Sequence, residues 1–403
     1  MSVGSPTVDL SGAPATFRFA ARVMVQNWCI GVLTLVLPDG REIRLEGDTP
    51  GPEARLVVRD YRFINRVLAT GTIGFGEGYM AGEWDTPDLS RALEVLAANF
   101  ARFEGVSFGN PFMTAVNLIG HALKSNSRGG SKRNIHAHYD LGNAFYSRWL
   151  DTSMTYSAAR FERPGEPLPE AQARKYRTLA QTMDLRPGHD VLEIGCGWGG
   201  FAEFAARDVG ANVTAITISE AQYKFARERI FKEGLNEKAN IQLVDYRDVQ
   251  GSFDRVASIE MFEAVGERYW PTYFDKVRNS LKPGGQAGLQ IITIRDELFD
   301  HYKRTPDFIQ KYIFPGGMLP SEERLKAATD KAGLTWGSIS RFGVCYADTL
   351  AEWARRFEAA WDDITHLGFD ERFRKLWRFY LSYSEAGFRT ERTDVVQLSL
   401  VKA

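Results

Sequence analysis

The chain has 403 residues, long for one compact domain, so two domains are the natural expectation. Its 50 Lys and Arg against 51 Asp and Glu leave a formal charge of −1, so no global field draws it to nucleic acid and any membrane contact must be local. Hydrophobic residues make up 44%, enough for a sizeable core, and Cys29, Cys196 and Cys345 lie too far apart for a disulfide framework or a metal-like spacing, which fits a reducing cytoplasm.

The opening MSVGSPTVDLSGAPATF lacks the basic leader and apolar core of a signal peptide, and no stretch approaches the roughly 18 apolar residues of a membrane span. A soluble or peripheral protein is expected. From about Phe17 to Phe103, WCIGVLTLVL, REIRLEG and ARLVVRD alternate like strands around turns at Pro38-Asp39-Gly40 and Gly51-Pro52. Helical patterns follow in YRFINRVLAT and, beyond a glycine-rich GTIGFGEGYMAGEW, in TPDLSRALEVLAANF, for which Thr86 is the predicted cap. Residues 1–121 thus read as an N-terminal α+β module. Residues 122–135 carry Lys124, Arg128, Lys132 and Arg133 with no acid among Ser, Gly and Asn. They read as a basic flexible linker, either solvated or touching phosphate headgroups at roughly 1 kcal/mol per basic residue.

From residue 136 to 403 strands alternate with helices: HDVLEIG, NVTAITIS, IQLVD, RVASIEM, GQAGLQIITI and a final DVVQLSLVKA. That alternation argues a doubly wound α/β sheet of mostly parallel order. A long helical insertion precedes the last strand. Its Trp353, Phe357, Trp361, Phe373, Trp377 and Tyr380 fall near helical spacing and read as core more readily than as a ligand wall.

Within this region VLEIGCGWGG at 191–200 is the most informative stretch. An apolar run ends in Glu193, glycines follow at 195, 197, 199 and 200, and FAEFAARDV continues as a helix. A strand, a tight turn and a helix in that order let a nucleotide lie against backbone amides. Gly195, Gly197 and Gly200 also satisfy the dinucleotide fingerprint. A dinucleotide site wants an acid at the end of the second strand, however, and NVTAITIS ends in Thr217 and Ser219. Glu193 can orient the glycine turn or reach a cationic amino-acid group, and Asp245, closing IQLVD, can accept from an adenine amino group. These placements favour S-adenosylmethionine over NAD.

Several further strings, in order, resemble the cyclopropane fatty acid synthases: HYDLGNAFYSRWLDTSMTYS at 138–157, VLEIGCGWGGFAEFAA at 191–206, TISEAQ at 217–222, MFEAVGERYWPTYF at 261–274, KYIFPGGMLPS at 311–321 and the C-terminal aromatic helices. GFGEGYMAGEWDTPDL at 74–89 is similar to the front module of the bacterial, phospholipid-using branch. The resemblance runs from about residue 50 to the end. It implies a Rossmann-like class I methyltransferase sheet with helical insertions and a hairpinned final strand, plus a small N-terminal α+β domain.

It also implies an enzyme that transfers the sulfonium methyl of S-adenosylmethionine to a cis alkene in an acyl chain still esterified in a phospholipid. An alkene is a feeble nucleophile, so the site must align it, exclude water and tolerate a carbocation, which aromatic faces stabilise. Loss of a proton from the new methyl closes the ring, and in the family a bound bicarbonate is held to take that proton. The resemblance places Tyr156 and Ser157 at the cofactor's methionine end, Gly195 and Gly197 under it, and Thr217 and Gln222 on its ribose and methionine part. It places Glu263 beside the bicarbonate and the Tyr346 hydroxyl in the same pocket. Each of these polar residues also has a plainer role open to it, as a satisfied buried hydrogen-bonding group.

Three departures bear on the product. The family's TYSCAYF is here TYSAARF, with Ala158 for the cysteine that contacts bicarbonate; Gln290 stands where many synthases carry histidine, with Ile292 two residues on; and Ala264 replaces the histidine of FEH. Gln290 can still donate to an anion, and a water can fill the space at Ala158. Cyclopropane and methyl-branched products therefore both stay open, with branching narrowly favoured. The family further implies work at the inner face of the membrane from the cytoplasm, and a homodimer. A methyltransferase of soluble amines or phenols would leave the front module and HYDLGN unexplained, and a vestigial lipid-binding fold would leave Tyr156, Gly195, Gly197 and Gln222 unexplained.

Overall fold

The structure, a computed structural model, describes residues 9–103 and 141–402. The linker with Lys124, Arg128, Lys132 and Arg133, and the boundaries expected at 121 and 136, lie outside the described residues.

The N-terminal module is built on a four-stranded sheet, order β2-β1-β3-β4, from β1 (Ile30–Val36), β2 (Glu42–Glu46), β3 (Thr49–Val58) and β4 (Trp84–Asp85). Strict alternation buries Leu33, Leu35, Ile43, Leu45, Leu56 and Val58 on one face. β2 is antiparallel to β1, whereas β3 lies parallel to β1 on its other side. The chain makes that crossing at Gly47, where a Cβ would sit 2.2 Å from the Cys29 carbonyl carbon. The expected turn at Gly51-Pro52 is instead part of β3. Thr86 is not the helix cap either. Its hydroxyl donates to the Arg55 carbonyl, and Asp88 accepts from the Arg91 N–H at 2.9 Å, taking the cap position of helix Leu89–Phe103.

The glycine-rich segment folds as helix Thr72–Met80. Its glycines permit close packing: a Cβ on Gly76 would lie 2.5 Å and 2.9 Å from ring carbons of Phe308 and Phe379. Those two residues belong to one buried cluster with the N-terminal sheet, so the module shares its core with the rest of the molecule. Ser90 adds a polar tie, donating to Glu385 at 2.7 Å.

The second sheet has the order β10-β11-β9-β8-β5-β6-β7, from β5 (Asp190–Ile194), β6 (Asn212–Thr217), β7 (Ala239–Leu243), β8 (Phe253–Ile259), β9 (Leu281–Ile294), β10 (Leu334–Arg341) and β11 (Thr393–Lys402). β5 to β9 pair in parallel; β11 inserts antiparallel between β9 and β10, as the hairpinned last strand requires. The strand order reverses at β5, between β6 and β8. In open α/β sheets the crevice beyond the carboxyl ends at such a reversal is where ligands bind.

Candidate active site

Past β5 the chain reverses at Gly195 (φ +83°) and Gly197 (φ +53°), backbone that favours glycine. The Gly195 and Cys196 N–H groups donate to the Ile216 carbonyl at 3.0 and 2.9 Å, which ties the turn to β6. A Cβ on Gly195 would meet Met261 Cγ at 2.6 Å, whereas the space around Gly197 is open. Glu193 is buried beneath the turn, and its Oε2 has no hydrogen-bond partner among the described residues. Burial pushes its carboxyl up to about 8, with Lys175 and Arg229 opposing. An orphaned buried carboxylate oxygen beside a glycine turn is a ready partner for a cationic ligand group.

Tyr156 shares a 2.7 Å hydrogen bond with the Tyr380 hydroxyl, and its ring packs 5.1 Å from that of Trp353. Ser157 Oγ accepts from the fully buried Lys175 Nζ at 2.6 Å. At the end of β6, Thr217 Oγ1 donates to Gln222 Oε1 at 2.8 Å, so the Gln222 amide donors are not spent on Thr217. Ser219 caps helix Glu220–Lys232 and so sets the position of Gln222 in its first turn. Asp245 already holds a two-pronged ion pair with Arg247, at 2.8 and 2.6 Å.

The acid that organises the neighbouring cluster is Glu260. It follows β8 directly, with φ +49°. Its Oε1 accepts from the Ala158 N–H and from Gln290 Nε2, both at 2.8 Å, and its Oε2 accepts from the Tyr346 hydroxyl at 2.8 Å. Gln290 is fully buried and does not reach the cavity wall. Its Oε1 accepts from Gln397 Nε2 at 3.0 Å, and Gln397 is itself held by the Lys175 carbonyl and the Thr178 hydroxyl. Gln290 thus stands behind Glu260, and Tyr346 bonds Glu260 rather than Glu263.

Glu263 accepts from the Ile292 N–H through Oε1, and its Oε2 has no partner among the described residues. Part of the residue faces the cavity, but the carboxyl is enclosed, and burial followed by repulsion from Glu260 pushes it up to about 8. Burial also raises Glu260, against its three hydrogen bonds and the Lys175 charge. The Tyr346 hydroxyl is driven well above its ordinary range by burial and by Glu260, so it remains a donor.

All eight residues that the sequence assigns to the cofactor line one cavity of about 1110 Å³, as do Glu260, Glu263 and Tyr346. From the glycine turn it runs past Glu260 into the N-terminal module, where Leu33, Leu56, Phe63 and Leu93 face it. Its volume lies just above the roughly 300–1,000 Å³ of ordinary small-molecule pockets. Of the six C-terminal aromatics only Tyr380 lines the cavity; Trp353, Phe357, Trp361 and Trp377 are buried in a cluster with Phe145 and Trp149. The arrangement offers a polar cradle, a long apolar channel, and carboxylates where the two meet.

Glu260, Lys175 and Gln397 were missed from sequence. Glu260 had a signal, since it closes the run RVASIE as Asp245 closes IQLVD. Gln397 had none, because its partners Lys175, Thr178 and Gln290 lie far away in the chain, and Lys175 reads as an ordinary lysine of a helical pattern.

Comparison with known proteins points one way. Residues 126–398 match the family described as mycolic acid cyclopropane synthetase. The chain is 39% identical over 398 residues to the tuberculostearic acid methyltransferase of Mycobacterium tuberculosis, covering 97% of this chain and 92% of that one. It is 36% identical over 359 residues to the cyclopropane-fatty-acyl-phospholipid synthase of Escherichia coli K12, covering 88% and 89%. A mycolic acid cyclopropane synthase solved with SAH and CTAB superposes with a TM-score of 0.64 at 28% identity, over 67% of this chain and 98% of that one.

Proposed function

The chain belongs to the mycolic acid cyclopropane synthetase family and is an S-adenosylmethionine-dependent methyltransferase; from that premise we propose that it methylates the double bond of an unsaturated acyl chain esterified in a phospholipid, giving a methyl-branched chain. The single observation that carries this reading is the continuous cavity that joins the glycine turn to the apolar interior of the N-terminal module.

S-adenosylmethionine, when bound, supplies a methyl group already activated on a sulfonium. In this reading Glu193 Oε2 takes the ammonium of its amino-acid end, beside Tyr156 and Ser157, while Gly195 and Gly197 let the backbone approach. Thr217 and Gln222 serve the ribose side, and Asp245, steadied by Arg247, the adenine. The acyl chain lies along the apolar part of the cavity, which keeps water from the developing cation, and the rings of Tyr156, Tyr346 and Tyr380 supply electron-rich faces. Glu263 and Tyr346 line the wall at the junction, and Gln290 acts from behind it.

Branching is supported by Ala158 and Gln290, since the two positions that would serve an anion carry, respectively, no side-chain polar group and an amide committed to Glu260 and Gln397. The N-terminal module takes the role of lipid partner at the cytoplasmic face of the membrane, with a homodimer part of the same reading. Among the described residues no helix is long and apolar enough to cross a membrane.

The test is incubation of the full-length protein with isotopically labelled S-adenosylmethionine and vesicles of cis-unsaturated phospholipid, followed by mass spectrometry and NMR of the acyl chains. Label in a methyl branch is expected. A cyclopropyl signal as the sole product removes the branching reading. Labelled soluble amine or phenol with unlabelled lipid removes the lipid reading.

A further inference from the structure

Glu260 has a left-handed backbone that a non-glycine residue adopts only at a cost, and such outliers persist where the surroundings over-determine them, often at functional sites. The surroundings here are donors. The Ala158 N–H, the Gln290 amide and the Tyr346 hydroxyl reach it from three distant parts of the chain, all at 2.8 Å, and all point at one carboxylate on the cavity wall. Its own N–H is bound to the Gln290 carbonyl, which holds the strained residue against β9.

Positions 158, 290 and 346 are also among those at which the family resemblance would place the contacts of a bound bicarbonate, with Glu263 beside it. Here their donors are spent on Glu260, so a separate anion does not fit among them. Resting on the reading above, we propose that Glu260 is the base of the reaction: a carboxylate carried by the chain stands where the family uses a bicarbonate, and takes the proton that discharges the cation.

The step balances. As the olefin takes the methyl, the methyl–sulfur bond breaks, a carbon–carbon bond forms, and the positive charge falls on the adjacent chain carbon. Glu260 then removes a proton from a carbon beside that cation. The electron pair of the broken C–H bond becomes a C=C bond, the lipid is neutral, and Glu260 is left as the acid, which returns its proton to solvent after the product leaves. The arrangement suits this role. Gln290 and Tyr346 fix the carboxylate's orientation, and neither donates to Glu263, which is held instead by the Ile292 N–H.

The experiment uses the full chain, S-adenosylmethionine and cis-unsaturated phospholipid vesicles, in buffer stripped of carbon dioxide and in the same buffer with added bicarbonate. Wild-type turnover is expected to be the same in both, within about twofold. Glu260→Gln should lower kcat by about 100-fold or more, in the range of a lost general base, with affinity for S-adenosylmethionine by calorimetry changed less than about threefold. Glu260→Gly relieves the backbone and vacates the carboxylate's place, so its residual turnover should rise on adding bicarbonate. Wild-type turnover that collapses without bicarbonate, or Glu260→Gln at the wild-type rate, overturns the proposal while leaving the lipid reading intact. A wild type that methylates no lipid overturns both.

Discussion

Gln397 on β11 donates to Gln290 on β9 across 3.0 Å, and the same nitrogen donates to the Lys175 carbonyl, also at 3.0 Å. A carbonyl can only accept, so the Gln397 amide has one workable orientation. It presents N–H to the Gln290 oxygen and thereby turns the Gln290 amide nitrogen toward Glu260. The polar chain from helix Leu168–Thr182 through β11 and β9 thus ends in the aim of one carboxylate.

Replacing Gln397 with Met keeps volume but removes the fixed donor. The Gln290 oxygen loses a buried partner, which costs about 1–3 kcal/mol of stability, and the amide is then held only through its nitrogen, by Glu260 and the Ala158 carbonyl. We expect a several-fold to tenfold loss of kcat with the KM for S-adenosylmethionine unchanged. An unaltered kcat would show that Gln290 needs no such orientation.

Gly195→Ala forces a side chain onto φ +83° and places its Cβ against Met261. The backbone term alone is about 1–2 kcal/mol, and relief requires the turn to move. Calorimetry should show cofactor affinity reduced by about tenfold or more. Wild-type affinity in this variant would mean that the turn does not support the cofactor.

Gly76→Val inserts a branched side chain between helix Thr72–Met80 and the rings of Phe308 and Phe379. Overpacking of this kind costs about 1–3 kcal/mol. The melting temperature should fall and lipid methylation should weaken, while cofactor binding at the far end of the cavity persists. An unchanged melting temperature would show that this close approach is not needed for the shared core.

The pH dependence of stability has a definite sign at Glu263. Its carboxyl is raised to about 8 in the folded protein from an ordinary value near 4.5, chiefly by burial. The folded state therefore binds a proton that the unfolded chain has released, and this contribution is fully present below about 4.5 and lost as pH rises through about 8. Glu263→Gln removes the titration. Relative to wild type, the variant should gain stability between pH 5 and pH 8, by at most a few kcal/mol. Thermal melts at the two pH values check it, and a wild-type-minus-variant difference that does not change with pH would refute the assignment.

Much of the fold was legible because its signals are local. The alternation in VLTLV and EIRLE marks half-buried strands, the continuous run VLEI marks a fully covered one, and the glycines after it mark a turn that other residues fit poorly. The same reasoning assigned no element to the glycine-rich segment that folds as helix Thr72–Met80. The physical reason for its glycines, the rings of Phe308 and Phe379, lies more than 200 residues away. It failed at β3, where pairing parallel to β1 depends on a crossing at Gly47 that no periodicity announces.

The residues that the sequence assigns to the cofactor come together on one cavity because they cluster at strand ends and in short strings. The acids at 260 and 263 could not be told apart in that way, since both close the same apolar stretch. By itself, the order of residues determined the kind of sheet, the glycine cradle and the residues gathered around it, because each depends on neighbours a few positions away. Only the tertiary structure decided which carboxylate faces the three donors, because Ala158, Gln290 and Tyr346 meet Glu260 through sheet register and helix packing across nearly 200 residues.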